Sequence, residues 1–159
     1  MTKLSVNINK IATIRNARGG DSPNVVEAAI SCQKFGADGI TIHPRLDERH
    51  ITNKDVWDIK PIISTEYNIE GYPDDTFFKI INDIKPAQVT LVPDPPDALT
   101  SSFGWDCEKN KDFLMDVIKR FKDNNIRVSI FINPSIKTLS NLEVIKPDRV
   151  ELYLSLIHI

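Results

Sequence analysis

The chain has 159 residues, 41% hydrophobic and 26% charged, and its 20 basic and 22 acidic side chains leave a formal net charge of -2. One domain is the default at that length; it can bury roughly 70% of its unfolded surface, and its apolar content excludes a disordered chain. Without a basic excess, a run near ~20 apolar residues or a signal-peptide core, no nucleic acid, no membrane and no export is expected.

Leu4 to Asn9 alternates, with Leu4, Val6 and Ile8 opposite Ser5, Asn7 and Asn9, and reads as a strand. Asp21-Ser22-Pro23 offers a capping side chain and an early proline for a helix that carries Val26, Ala29 and Ile30 and stops near Gly36. Ile40 to His43 is a second strand. Thr52 and Asp55 make a capping-box-like start for a helix bearing Val56, Ile59 and Ile63, which Pro61 should kink or end early. A third strand spans Tyr67 to Glu70. Phe77, Ile80, Ile81 and Ile84 then recur at i, i+3, i+4 and i+7, the clearest amphipathic helix in the chain. Gln88 to Leu91 is a fourth strand. Val92 to Glu108 breaks the rhythm with Pro93, Pro95, Pro96 and Gly104, and a loop of about seventeen residues inside a compact domain is functional or disordered. A helix from about Asn110, a fifth strand over Arg127 to Ile132, a helix over about Ser135 to Ile145 and a sixth strand over Arg149 to Tyr153 complete the order. Cys32 and Cys107 lie far apart and read as free thiols in a reducing cytoplasm.

Strands alternating with helices imply parallel pairing through right-handed crossovers, as a doubly wound sheet or a (β/α)8 barrel. No G-x-G-x-x-G follows the first strand, which weakens the dinucleotide fold. Each strand keeps Val, Ile or Leu on one flank. The other flank carries Ser5, Asn7 and Asn9; Thr41 and His43; Asn68 and Glu70; Gln88 and Thr90; Ser129 and Asn133; Arg149 and Glu151. In a barrel that flank looks inward and must pair with itself, water or a ligand. An antiparallel sheet with one wet face would alternate in the same way. His43, Glu70 and Glu151 fall at or near the C-terminal ends of their strands, where barrel enzymes build their sites.

The stretch from Asn7 to Gly20 joins the first strand to a basic loop whose Lys10, Arg15 and Arg18 suit an anion such as a phosphate, or a solvated surface. His43-Pro44-Arg45-Leu46-Asp47-Glu48-Arg49-His50 places two histidines, suited to proton transfer, and two arginines, suited to phosphate, just past the second strand. No third ligand at a plausible spacing supports a zinc site. Glu70, with a histidine on the neighbouring strand, is an acid–base candidate. An arginine-paired structural carboxylate is the alternative, and a stronger one for Glu151 because Arg149 shares its face.

Val6-Asn7-Ile8, Ile11 to Gly19, Gly36 to His43, Arg45, Asp47 to Thr52, Asn68-Ile69-Glu70, Leu91-Val92-Pro93 and Val128 to Ile132 together resemble the pyridoxine 5'-phosphate synthase family, in order and spacing, over residues 3 to about 153. The resemblance implies a (β/α)8 barrel that condenses 1-deoxy-D-xylulose 5-phosphate with 3-amino-2-oxopropyl phosphate, giving pyridoxine 5'-phosphate, phosphate and water without a metal or organic cofactor. By the same resemblance, Asn7 and Arg18 are expected to hold the amino-ketone phosphate, and Arg45, His50 and Thr100 the deoxyxylulose phosphate. His43 and Glu70 are expected to accept protons, Glu151 to stabilise the transition state, and the long loop to act as a lid. This chain departs from the family in having Asn9-Lys10 where many members have Asp-His, although a lysine can still bind an anion.

A full barrel needs about 250 residues and eight strands. Six are expected here, an incomplete barrel over residues 1–153. Residues 154–159, Leu-Ser-Leu-Ile-His-Ile, are unlike the family's continuation and are expected to be a non-native tail, with the reading frame cut short. The fragment alone is expected to be inactive, with exposed edge strands. The intact product is expected to be a cytoplasmic homo-oligomer acting on small phosphorylated substrates. A second reading is another phosphosugar barrel enzyme, an epimerase or aldolase, although no Schiff-base lysine lies on an inward flank. A third is a non-catalytic assembly module.

Overall fold

Six short strands pair in chain order, all parallel, into one sheet in the computed structural model, which describes residues 1–94 and 103–154. They are β1 (Ser5–Asn7), β2 (Gly39–Ile42), β3 (Glu66–Gly71), β4 (Gln88–Leu91), β5 (Arg127–Ile132) and β6 (Arg149–Leu152). Helices α1 (Asn9–Arg18) and α2 (Val25–Lys34) link β1 to β2, and α3 (Asn53–Ile59) links β2 to β3. Helix α4 (Asp75–Ile84) precedes β4, α5 (Lys111–Asp123) precedes β5, and α6 (Ile136–Leu139) with α7 (Leu142–Ile145) precedes β6. The sheet is curled: the Arg149 guanidinium on β6 comes within 3.4 Å of Glu66 on β3, three strands away, which a flat sheet would forbid. The architecture is an incomplete (β/α)8 barrel of six strands.

Period-two alternation decides what lies where. Ile40, Ile42, Ile69, Val89, Leu91, Val128, Ile130 and Ile132 face outward and are fully buried beneath the helices. Ala12, Ala29, Val56, Ile59, Ile81, Leu114 and Phe121 meet them from the helix side. Phe78 stacks on Phe121 at 4.8 Å between ring centres, which ties α4 to α5. The outward residues of the last strand lack such cover, with Val150 42% and Leu152 44% exposed.

Several local expectations hold. Thr52 caps α3 through a full capping box with Asp55, and Pro61 converts the helix end into a 3-10 turn over Lys60–Ile62. Asp74 caps α4 by accepting from the Phe77 N–H. Other boundaries move. The basic stretch after β1 is a helix rather than a loop, because Asn7 turns the chain by accepting from the Asn9 N–H at 2.9 Å, and Gly19 ends the helix at φ 68°. Helix α2 starts later than Asp21-Ser22-Pro23, since the capping side chain is Asn24, which accepts from the Glu27 N–H. The helix expected over Ser135 to Ile145 is two single turns divided at Ser140 and Asn141, side chains that compete with helical hydrogen bonds.

The chain beyond β4 returns to the sheet at Gly104 and Trp105. The Gly104 N–H donates to Asn133 Oδ1, and Trp105 donates from its backbone to Phe131 and from its indole to Leu91. A Cβ on Gly104 would lie 2.3 Å from the Ile132 carbonyl carbon and 2.4 Å from the Asn133 nitrogen. Gly104→Ala is therefore expected to cost about 1–3 kcal/mol through overpacking. Urea unfolding would show it as a lower midpoint at unchanged slope; an unmoved midpoint would mean the backbone yields there.

Candidate active site

The inward flank is polar except for Phe131 on β5, and most of its polar part satisfies itself. Ser5 and Thr41 share a hydrogen bond of 2.8 Å, and Asn68 donates to Thr41 at 3.2 Å. Gln88 and Thr90 both donate to Asn68 Oδ1, at 3.2 and 3.1 Å. Arg127 and Arg149 both donate to Gln88 Oε1, at 2.8 and 3.1 Å, and both also meet Glu66. This network crosses all six strands and removes the desolvation cost that unpaired polar groups would carry. Arg149 is engaged here with Glu66 and Gln88 rather than with Glu151.

The upper layer is different. At the C-terminal end of the sheet, Glu70 is 9% exposed, with Asn7 Nδ2 3.4 Å and His43 Nδ1 3.9 Å from the same carboxylate oxygen. Burial, and then the charge of nearby Glu151, push Glu70 up to about 8. Burial also raises Glu151. His43 is pushed down to about 3 by burial first, then by His50 and Arg45, against a smaller pull from Asp47. The spacing of His43 and Glu70 would suit an ion pair, yet desolvation holds both groups neutral between about pH 3 and about pH 8. At neutral pH the pair is a carboxylic acid with a proton to give beside an imidazole with a lone pair to receive one.

The loop from β2 to α3 supplies the cations. Arg45 Nε lies 3.8 Å from Asp47, and the His43 and His50 rings are 5.8 Å apart. His50 Nδ1 accepts from the Ile51 N–H at 2.9 Å; burial, and then Arg45, lower the titration of this ring. Asn9 reaches in from α1, its side-chain oxygen accepting from the His43 N–H at 2.8 Å. An aspartate would accept that bond equally, so the Asn9-Lys10 departure keeps this contact.

Asn7, His43, Glu70 and Glu151 therefore converge, with Arg45 and His50 on the adjoining loop. Arg18 does not join them: it closes α1, about 14 Å along the helix from Asn9, and is exposed. Thr100 lies outside the described residues, as do residues 95–102 of the long loop and residues 155–159 of the expected tail. Arg15 is not available to an anion, since it grips Asp55 through two hydrogen bonds, with 13% and 7% of the two side chains exposed. Sequence reasoning missed Tyr72 and Asp94, which line a cleft with His43, Arg45 and Phe77; neither sits on an alternating strand flank. Among the described residues no cluster of three or more His, Cys, Asp or Glu side chains is placed to hold a metal ion.

Comparison with known proteins supplies an independent observation. The chain is 55% identical over 153 residues to a pyridoxine 5'-phosphate synthase of Bacteroides fragilis (strain YCH46), covering 96% of this chain and 65% of the relative. It is 57% identical over 153 residues, with the same coverage, to that of Christiangramia forsetii. The chain thus spans about two-thirds of the length of these curated relatives. Among solved structures, a Vibrio cholerae LapD S helix-GGDEF-EAL chain (apo) superposes with a TM-score of 0.52 at 15% identity, over 92% of this chain and 34% of that one, a likeness of fold alone. The family profile of pyridoxal phosphate biosynthesis protein PdxJ matches residues 4–156. On that match and those identities, the chain belongs to the PdxJ family of pyridoxal phosphate biosynthesis proteins.

Proposed function

We propose that this chain carries the acid–base machinery of a pyridoxine 5'-phosphate synthase, joining 1-deoxy-D-xylulose 5-phosphate to 3-amino-2-oxopropyl phosphate with release of phosphate and water. The observation that carries the reading is the buried Glu70 carboxyl 3.9 Å from the buried His43 imidazole, where burial pushes the first up and the second down. Imine formation, dehydration, loss of phosphate and aromatisation are successive proton transfers, which need one group able to give and one able to take at the same pH. His43 takes a proton from the condensing substrate. Glu70 starts protonated, gives its proton to a departing hydroxyl, and accepts one only afterwards. Glu151 stabilises the cationic character of an iminium. Arg45, His50 and Thr100 hold the deoxyxylulose phosphate, and Asn7 the amino-ketone phosphate; Arg18, at the far end of α1, has no part in that grip within this chain. The chemistry calls for no cofactor. The working enzyme in this reading is a cytoplasmic homo-oligomer.

The described sheet has six strands, and β1 and β6 each keep an unpaired edge. The test therefore assays pyridoxine 5'-phosphate formation twice: with the 159-residue chain, and with residues 1–153 joined to the remaining third of the Bacteroides fragilis relative. Product from the joined barrel and none from the shorter chain is the expected result. Failure of the joined, folded barrel to make product would defeat the reading.

A further inference from the structure

The loop from β2 to α3 holds His43, Arg45 and His50, yet it has no regular structure beyond a bridge between Pro44 and Ile51. Helix α1 holds it at both ends. At the first end, Asn9 accepts from the His43 N–H. At the second, the Asn16 amide donates to the carbonyls of Glu48 at 3.1 Å and His50 at 2.9 Å, and Arg15 adds a bond of 3.3 Å to the His50 carbonyl. Arg15 also donates to Asn16 Oδ1 from Nε at 3.0 Å and Nη2 at 2.9 Å, which turns the Asn16 NH2 toward the loop. Its other anchor is Asp55, itself held by Thr52.

The His50 carbonyl belongs to the same peptide plane as the Ile51 N–H. That N–H donates to His50 Nδ1, which places the proton of the neutral ring on Nε2. We propose that Arg15 and Asn16 are positioning residues that lock the His50–Ile51 peptide plane and thereby present His50 Nε2–H as a fixed donor to a phosphate oxygen. The phosphate rests on the proposed function; the locking does not. Asn16 is exposed on the helix, where alanine is the better helix former, so its loss should leave the fold intact.

The experiment uses the full chain labelled with nitrogen-15 in its histidine rings, titrated with inorganic phosphate. Asn16→Ala removes the Asn16 bonds to the Glu48 and His50 carbonyls and leaves only the longer Arg15 bond to His50, and Asn16→Asp does the same while keeping the acceptor for Arg15. Both are expected to move the His50 ring nitrogens from a single tautomer toward an average, to leave His43 unmoved and the chain folded, with a melting temperature within a few degrees of the parent's, and to weaken phosphate binding about fivefold, the worth of one neutral hydrogen bond. His50 resonances unchanged in both variants would overturn the proposal. A parent chain that binds no phosphate while the variants still scramble the ring would defeat the ligand reading and uphold the positioning role.

Discussion

In the joined barrel, Glu70→Gln is expected to lower pyridoxine 5'-phosphate formation about 10²–10⁴-fold; in the 159-residue chain it is expected to raise the stability at pH 8, by up to about 4 kcal/mol. The two effects share one cause. An unfolded glutamate loses its proton near 4.5, whereas folded Glu70 keeps its own up to about 8. Between those values the unfolded state binds one proton fewer, so stability falls as pH rises. Glutamine never ionises, and it removes that alkaline limb.

His43 works in the opposite sense. The unfolded ring takes up a proton near 6.5 and the folded one only near 3, so stability falls as pH drops across that interval. The two slopes cancel between about 4.5 and 6.5, where these two groups leave the stability flat. Urea unfolding of the 159-residue chain from pH 3 to 9 checks this without any turnover. The gain from Glu70→Gln should vanish toward pH 4.5, and His43→Asn should flatten the acid limb and let the alkaline fall begin near pH 4.5 instead of 6.5. A Glu70→Gln curve that runs parallel to the parent from pH 5 to 8 would show that Glu70 ionises normally.

Asp55→Ala is expected to cost about 3–5 kcal/mol. Asp55 is 5% exposed, so its removal strips the Arg15 guanidinium of its hydrogen-bonded counter-charge and leaves only the weaker pull of Asp21. It also strips the start of α3, where Asp55 accepts from the Thr52 N–H at 2.8 Å and its hydroxyl at 2.9 Å. Burial alone would raise this carboxyl; Arg15 and Thr52 outweigh it and hold it below the usual range. The stabilisation is therefore present above pH 3.8 and is lost as pH falls through the folded value. Replacing both partners together, Arg15→Met with Asp55→Leu, should recover much of the charge penalty though not the cap. An Asp55→Ala midpoint close to the parent's would show that water reaches Arg15 in its place.

Much of this was legible along the chain. The six strands and their order follow from period-two alternation and from helices in nearly every connection. The convergence of His43, Glu70 and Glu151 follows from the same rule, because parallel strands place their C-terminal ends on one side. Thr52, Asp55 and Pro61 mark their helix correctly because capping and proline effects act within four residues. Where neighbours compete, local reading slipped: Asn24 outbids Asp21 as a cap, and Asn9 leaves the strand for a helix while its side chain still reaches His43.

By itself, the sequence determined the topology and which flank of each strand is polar, since backbone periodicity and chain polarity are properties of adjacent residues. Only the tertiary structure decided who pairs with whom and who carries a proton. Arg15 looked like an anion ligand until Asp55, forty positions away, took its charge. Glu66, Gln88, Arg127 and Arg149 close a network that no local pattern encodes. The neutral state of Glu70 and His43 arises from desolvation, which exists only once distant segments have closed over them and excluded the water that would solvate a charge.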